Sequence, residues 1–147
     1  MAKLAGDHIQ VILDDSGGTP RTFADGDIIS VDVPLTYDQY DVSGFGDDVH
    51  NMINGLLQAP VTVRGYLTTT ANIGTHPVIQ GAFAAEAQVT LTVQVGQNAD
   101  PTTGDPEFEG EYIVESYKPT IEHSGAITFE AALKPANGTA PAWGTVA

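Results

Sequence analysis

Carboxylates and histidines are the side chains here with chemistry to offer, and their spacing decides what that chemistry is. The four histidines, His8, His50, His76 and His123, stand far apart and fit no HExxH or other metal-ligand spacing. No G-x-S-x-G elbow, P-loop or G-x-G-x-x-G is present, so nucleophilic and nucleotide chemistry lack their usual footholds. Without cysteine there is no thiolate metal site, cysteine nucleophile or disulfide. Carboxylates are plentiful, and paired-acid catalysis has to be weighed. Asp25 and Asp27 flank Gly26, which is turn chemistry, while Asp47-Asp48 follows Gly44-Phe45-Gly46 and suits a helix cap or a calcium ligand pair. Glu109, Glu111 and Glu115 fall on one strand face with Ile113 and Tyr117, and like charges so aligned belong against water or a channel. A glycosidase-like acid pair needs a cleft with aromatic platforms, and the chain offers only Trp143 and scattered tyrosines. The residues point away from catalysis, and no metal or cofactor is expected.

The charge balance excludes more. Nineteen acidic residues stand against five basic ones, a formal net charge of −14. A protein that grips nucleic acid displaces condensed counterions with Lys and Arg. Lys3, Arg21, Arg64, Lys118 and Lys134 are too few and too scattered for that, or for docking on an anionic membrane. Passing near DNA without holding it is not excluded. The start, Met1 to His8, has no hydrophobic signal core, and no apolar run approaches the roughly 20 residues of a membrane helix. The expectation is a soluble protein made in a cytoplasm.

The elements that must position these residues are strands. At 147 residues the chain is one domain, with 41% apolar residues to build a core. Period-two alternation dominates. In 28–35, Ile29, Val31, Val33 and Leu35 share a face opposite Ser30 and Asp32, and Pro34 marks an edge or a strand end. The pattern repeats at 61–68, with Val61, Val63 and Leu67, and at 88–95, with Val89, Leu91, Val93 and Val95. It returns at 127–133, and strands at 8–13 and 109–117 complete the set. Six strands with one polar face each predict a mainly all-β antiparallel sandwich or barrel. One short flanking helix fits 77–86, with Thr75 or His76 as cap and Pro77 in its first turn.

Residues 36–60 are too long for a simple turn and too apolar for a solvated loop, carrying Tyr37, Tyr40, Phe45, Met52, Ile53, Leu56 and Leu57. Two readings stand: an arm that buries these groups against a neighbouring subunit, or a segment packed on its own domain. Short terminal arms, 1–7 and 135–147, are rich in Ala, Gly and Pro and either fray or order on assembly.

The order of these pieces resembles the siphophage major tail proteins, which form the tail tube. A strand like Asp27–Leu35 is followed by Val42-Ser43-Gly44-Phe45-Gly46-Asp47 and then Ile53-Asn54-Gly55-Leu56. Next come a Val61–Tyr66 strand, His76-Pro77-Val78-Ile79 and the strand Val89–Gly96. The Gly110–Tyr117 strand and Pro141–Trp143 close the chain, so the likeness spans nearly all of it. The resemblance implies a sandwich or barrel subunit of the tail-tube type that self-assembles into stacked hexameric rings. The resulting hollow tube in the virion tail would let DNA pass without specific binding, with tape-measure, tail-terminator and tail-tip proteins as partners. It also implies that 36–60 is a loop or hairpin reaching an adjacent subunit or ring. Tyr37, Tyr40, Phe45, Ile53, Leu56 and Leu57 are then interface anchors, and Asp32, Asp38 and Asp41 candidates for an acidic lumen lining. The alternatives are a capsid head-decoration protein with a similar fold and a calcium- or carbohydrate-binding β-sandwich.

Overall fold

The alternating segments fold as a sheet whose apolar faces meet in one core. A computed structural model describes residues 8–96 and 100–147. The strands are β1 (Ile9–Asp14), β2 (Pro20–Thr22), β3 (Ile28–Asp32), β4 (Thr36–Asp41), β5 (Met52–Gln58), β6 (Val61–Tyr66), β7 (Gln88–Val95), β8 (Pro106–Thr120), β9 (Thr128–Pro135) and β10 (Ala142–Thr145). Eight make one sheet in the order β2-β1-β7-β8-β9-β6-β3, with β10 paired to β8, and β4 and β5 form a separate two-stranded sheet. Every pairing is antiparallel.

Val11 and Leu13 of β1, Val89, Leu91 and Val93 of β7, Phe108, Tyr112 and Val114 of β8, Phe129 and Leu133 of β9, and Val61 and Val63 of β6 belong to one buried cluster. Side chains from one face of so many strands can touch only if the sheet curls around them. The curl brings its ends close enough that Ile9 and Val11 of β1 and Ile28 and Val31 of β3 line a common cleft of about 290 Å³. Each fully buried Val, Leu or Phe contributes roughly 1.5–3 kcal/mol, which makes this cluster the main driving force of the fold.

The helix expected over 77–86 is a π-helical turn, His76–Gln80, running into a short α1, Gly81–Ala85. Val78, Ile79 and Ala82 face inward and lid the core. Thr75 stands at the cap position but makes no side-chain cap bond. Its hydroxyl donates instead to the Tyr66 carbonyl (2.7 Å) and accepts from the Thr68 amide (3.0 Å), pinning the helix to the end of β6.

Two bulges change which side chains face inward. A register shift between Ile28 and Ser30 turns Ile28 toward the core with Val31 and Val33, and leaves Ile29 out. The expected Ile29–Leu35 face therefore breaks, and β3 ends at Asp32, before Pro34. A second shift, between Val114 and Ser116, carries Tyr117 to the core side, where it packs on Phe129 and places its hydroxyl 3.0 Å from His76 Nδ1. Tyr117 thus leaves the face assigned to Glu109, Glu111 and Ile113, and burial raises its pKa.

The expected C-terminal arm, 135–147, carries β10. Trp143 pairs with Phe108 in register and tilts against its ring at 5.4 Å, and the Val146 amide donates to the Asp105 carbonyl. The expected arm at 1–7 lies outside the described residues.

Candidate assembly surface

The 36–60 segment is a hairpin that stands apart from the body. β4 and β5 pair only with each other, and Asp32 and Val61, at the strands either side, tie its two legs to the edge of the main sheet. The segment does not pack on its own domain. Tyr37 and Tyr40 are each 53% exposed, Ile53 50%, Leu56 78%, and Phe45 at the tip fully so, while Leu57 is half-buried.

Register explains how the anchors are shared out. Tyr37 stands opposite Leu57 and Tyr40 opposite Ile53, and the odd spacing from 37 to 40 sends the two pairs to opposite faces of the ribbon. The Tyr37 face also carries Gln39 and Asn54, whose amides bond across the strands. The Tyr40 face carries Asp38, which accepts from Gln58 Nε2 at 2.5 Å. A Cβ at position 55 would lie 2.3 Å from the Tyr40 ring, so Gly55 is what lets that ring lie across β5. Leu56 sits where the register shifts. An isolated two-stranded ribbon is marginal in water, and this one has apolar groups on both faces.

The tip is organised by local bonds. Asp41 Oδ1 accepts from the Ser43 amide (2.9 Å), its Oδ2 lies 2.9 Å from His50 Nδ1, and the Ser43 hydroxyl accepts from the Asn51 amide (2.7 Å). Hydrogen bonding from Ser43, and secondarily from His50, holds the Asp41 carboxyl below its usual pKa. Asp47 Oδ2 accepts from the Gly44 amide (2.8 Å) and shapes a turn, where a helix cap was one expectation. Among the described residues no group of three or more His, Asp or Glu could hold a metal ion.

The three acidic candidates separate. Asp38 and Asp41 sit on opposite faces of β4, and Asp32 ends β3 on the body. The densest carboxylate row lies elsewhere, on the polar face of the main sheet. Glu107, Glu109 and Glu111 alternate along β8 opposite Gln94, Thr92 and Thr90, and Asp14 of β1 accepts from the Thr90 amide. Glu111 accepts from the Thr90 hydroxyl at 2.5 Å and Glu107 from Gln94 at 2.7 Å. Glu109 and Glu111 are visible in the strand pattern; Asp14 joins them only through the β1–β7 pairing, which brings together residues far apart in the sequence. Val42 and Val49 add to the exposed apolar surface of the arm. A valine set among Asp48 and His50 has no periodicity to flag it, so only the hairpin places it at the tip.

No protein-family model matches the chain, and no curated protein matches it by sequence. Solved structures do match. The tail of an empty gene transfer agent (GTA) particle, refined with C6 symmetry, superposes with a TM-score of 0.71 at 17% identity, covering 99% of this chain and 100% of that one. The SPP1 tail tube gives a TM-score of 0.74 at 10% identity, over 98% of this chain and 80% of that one. This is a tail-tube fold. The sheath–tube complex of the extracellular contractile injection system PVC is similar too, at 0.65 and 12%, over 98% and 93% of the two chains. The all-β architecture with one short helix and a hairpin arm agrees with the expected tail-tube type, and no helix among the described residues is long and apolar enough to cross a membrane.

Proposed function

We propose that this chain is a structural, non-catalytic subunit of a virion tail tube, assembling through its hairpin arm into stacked hexameric rings around a conduit for DNA. The observation that carries the reading is the arm itself: a ribbon with Tyr37 and Leu57 on one face, Tyr40 and Ile53 on the other and Phe45 at its tip, attached to a tail-tube body that covers neither face. Apolar surface of that kind marks a site of protein association. Its occupant in this reading is an adjacent subunit or ring, with Tyr37, Tyr40, Phe45, Ile53, Leu56 and Leu57 as anchors. The sixfold arrangement is supported by the C6 symmetry of the similar GTA tail.

The conduit reading rests on charge. A lumen that passes DNA must not hold phosphate, and a net charge of −14 opposes any such hold. Of the acidic candidates Asp32, Asp38 and Asp41, the last two stand on opposite faces of β4, so the lumen lining in this reading takes Asp32 with one of them, and the row of Asp14, Glu107, Glu109 and Glu111 is a further acidic surface of the same sign. Tape-measure, tail-terminator and tail-tip proteins are the partners this role requires.

Electron microscopy of the concentrated, purified protein tests the proposal. Hollow tubes or six-fold rings are the expected result. Stable three-fold particles would overturn it in favour of a capsid-decoration role.

A further inference from the structure

Asn-Gly occurs twice in the chain, at Asn54-Gly55 and at Asn137-Gly138. This dipeptide carries its own reaction: the glycine amide nitrogen can attack the asparagine Cγ, and glycine has no side chain to hinder the approach. The structure gives the two copies opposite surroundings. Asn54 lies in β5 opposite Gln39 of β4, and its side-chain oxygen accepts a hydrogen bond from Gln39 Nε2. The Tyr40 ring lies over Gly55. Ring closure at Asn54 must turn an extended backbone out of the ladder and lift that ring away, so it waits on local opening of the ribbon.

Asn137 and Gly138 form the tip of the turn between β9 and β10, with φ of 60° and 78°. Both are exposed, and the Gly138 amide makes no hydrogen bond among the described residues. Asn137 Oδ1 accepts from the Thr139 amide at 3.0 Å. That bond folds the carboxamide back along the 137–138 peptide and brings Cγ beside the nitrogen that attacks it. It also sets an N–H donor on the oxygen that gathers negative charge as the tetrahedral intermediate forms.

We propose that Asn137 is a site of spontaneous deamidation and that the fold protects Asn54 from the same reaction. The Gly138 nitrogen gives its proton to water and forms a bond to Asn137 Cγ. The Cγ–Nδ2 bond breaks, the leaving nitrogen takes a proton from water and departs as ammonia, and a five-membered succinimide remains. Water then opens one of the two ring carbonyls, leaving aspartate or isoaspartate at position 137. The place of the reaction gives it a consequence. The six residues between Pro135 and Ala142 are pinned at both ends. The Ala136 amide donates to the Glu111 carbonyl at 2.9 Å, and the buried Pro141 packs so closely on Gly110 that a Cβ there would lie 2.6 Å from it. Isoaspartate adds a methylene to the main chain between these pins, which loosens β10 and the packing of Trp143 on Phe108.

Prolonged incubation of the intact chain in mildly alkaline buffer, followed by peptide mapping with mass spectrometry, tests the proposal. Cleavage after Glu130 releases residues 131–147, in which Asn137 is the sole Asn or Gln, so an amide-to-acid mass change in that peptide reports this position alone. Expected is conversion of Asn137 roughly tenfold faster than that of Asn54, and a slowing of roughly the same size in Gly138→Ala. In urea the two rates should converge, because the dipeptides are then chemically alike and neither is held. Equal rates in the folded protein, a faster Asn54, or a gap that persists in urea would each overturn the assignment. Trp143, the one tryptophan, reads the consequence: its emission should shift to the red in the aged parent and not in equally aged Gly138→Ala. Emission that stays the same in converted protein would overturn the loosening of β10.

Discussion

The Tyr112 hydroxyl, wholly buried, donates a 2.9 Å hydrogen bond to the carbonyl of Ala59. Tyr112 lies in the middle of β8, and Ala59 is in the two-residue link between β5 and β6, at the root of the arm. The bond therefore ties the centre of the main sheet to the point where the hairpin rejoins it. A buried carbonyl deprived of its donor costs roughly 1–3 kcal/mol. Tyr112→Phe keeps the ring and removes the bond, so urea denaturation should show a loss of that size, and amide exchange should quicken at residues 52–58. An unchanged midpoint and unchanged exchange would show that the root is held by other means.

The same residue gives the fold an alkaline limit. Burial pushes the Tyr112 hydroxyl up to about 12, above its ordinary value near 10. The neutral form is the one the folded state keeps, so its contribution is complete below the unfolded pKa and is lost as pH rises through the folded one. Stability should hold to about pH 10 and fall between about 10 and 12. Thermal melts across that range check the window, and Tyr112→Phe should flatten the fall.

Two glycines should respond unequally to alanine. A Cβ at Gly65 would lie 2.3 Å from the Asp27 carbonyl and 3.0 Å from the Phe129 ring, whereas one at Gly144 meets nothing within 4 Å. Gly65→Ala should cost about 1–3 kcal/mol by forcing β3 away from β6. Gly144→Ala should stay within about 0.5 kcal/mol of the parent. Equal midpoints for the two would mean that the β3 edge yields without cost.

Phe45→Asp should separate folding from assembly. The side chain touches solvent alone in the single chain, so circular dichroism and melting temperature should match the parent within the small effect expected of a surface change. Assembly seen by sedimentation or microscopy should disappear. Normal tubes from this variant would remove Phe45 from the interface.

The parts of the fold that were legible in the sequence are those whose neighbours agree on one face. Gln88–Val95 alternates without interruption and is a strand over that same span. Ile29 and Tyr117 were misplaced because of bulges: Ile29 is itself the extra, unpaired residue of one, and Tyr117 follows another, where one inserted residue reverses the facing beyond it. β2 and β10, three and four residues long, have no period to read and exist through their partners β1 and β8. The arm was visible as an apolar excess between Thr36 and Pro60, yet its two-faced character follows from the Tyr37–Leu57 and Tyr40–Ile53 register, which composition does not encode.

The separation of the β4–β5 ribbon from the main sheet also sets an order of events at the ribosome. The ribbon's two strands are joined by the ten residues between Asp41 and Met52, and a hairpin of this kind closes in about 1–10 microseconds. The main sheet instead pairs β1 with β7, and β6 with β9, which ends at Pro135. Synthesis runs at roughly 5–20 residues per second, so several seconds pass between completion of the ribbon and arrival of β9. A nascent chain thus carries the exposed apolar groups of its arm long before it can finish its core. During that interval the ribbon has been synthesised while the body that roots it, through Tyr112 and Ala59, has yet to close.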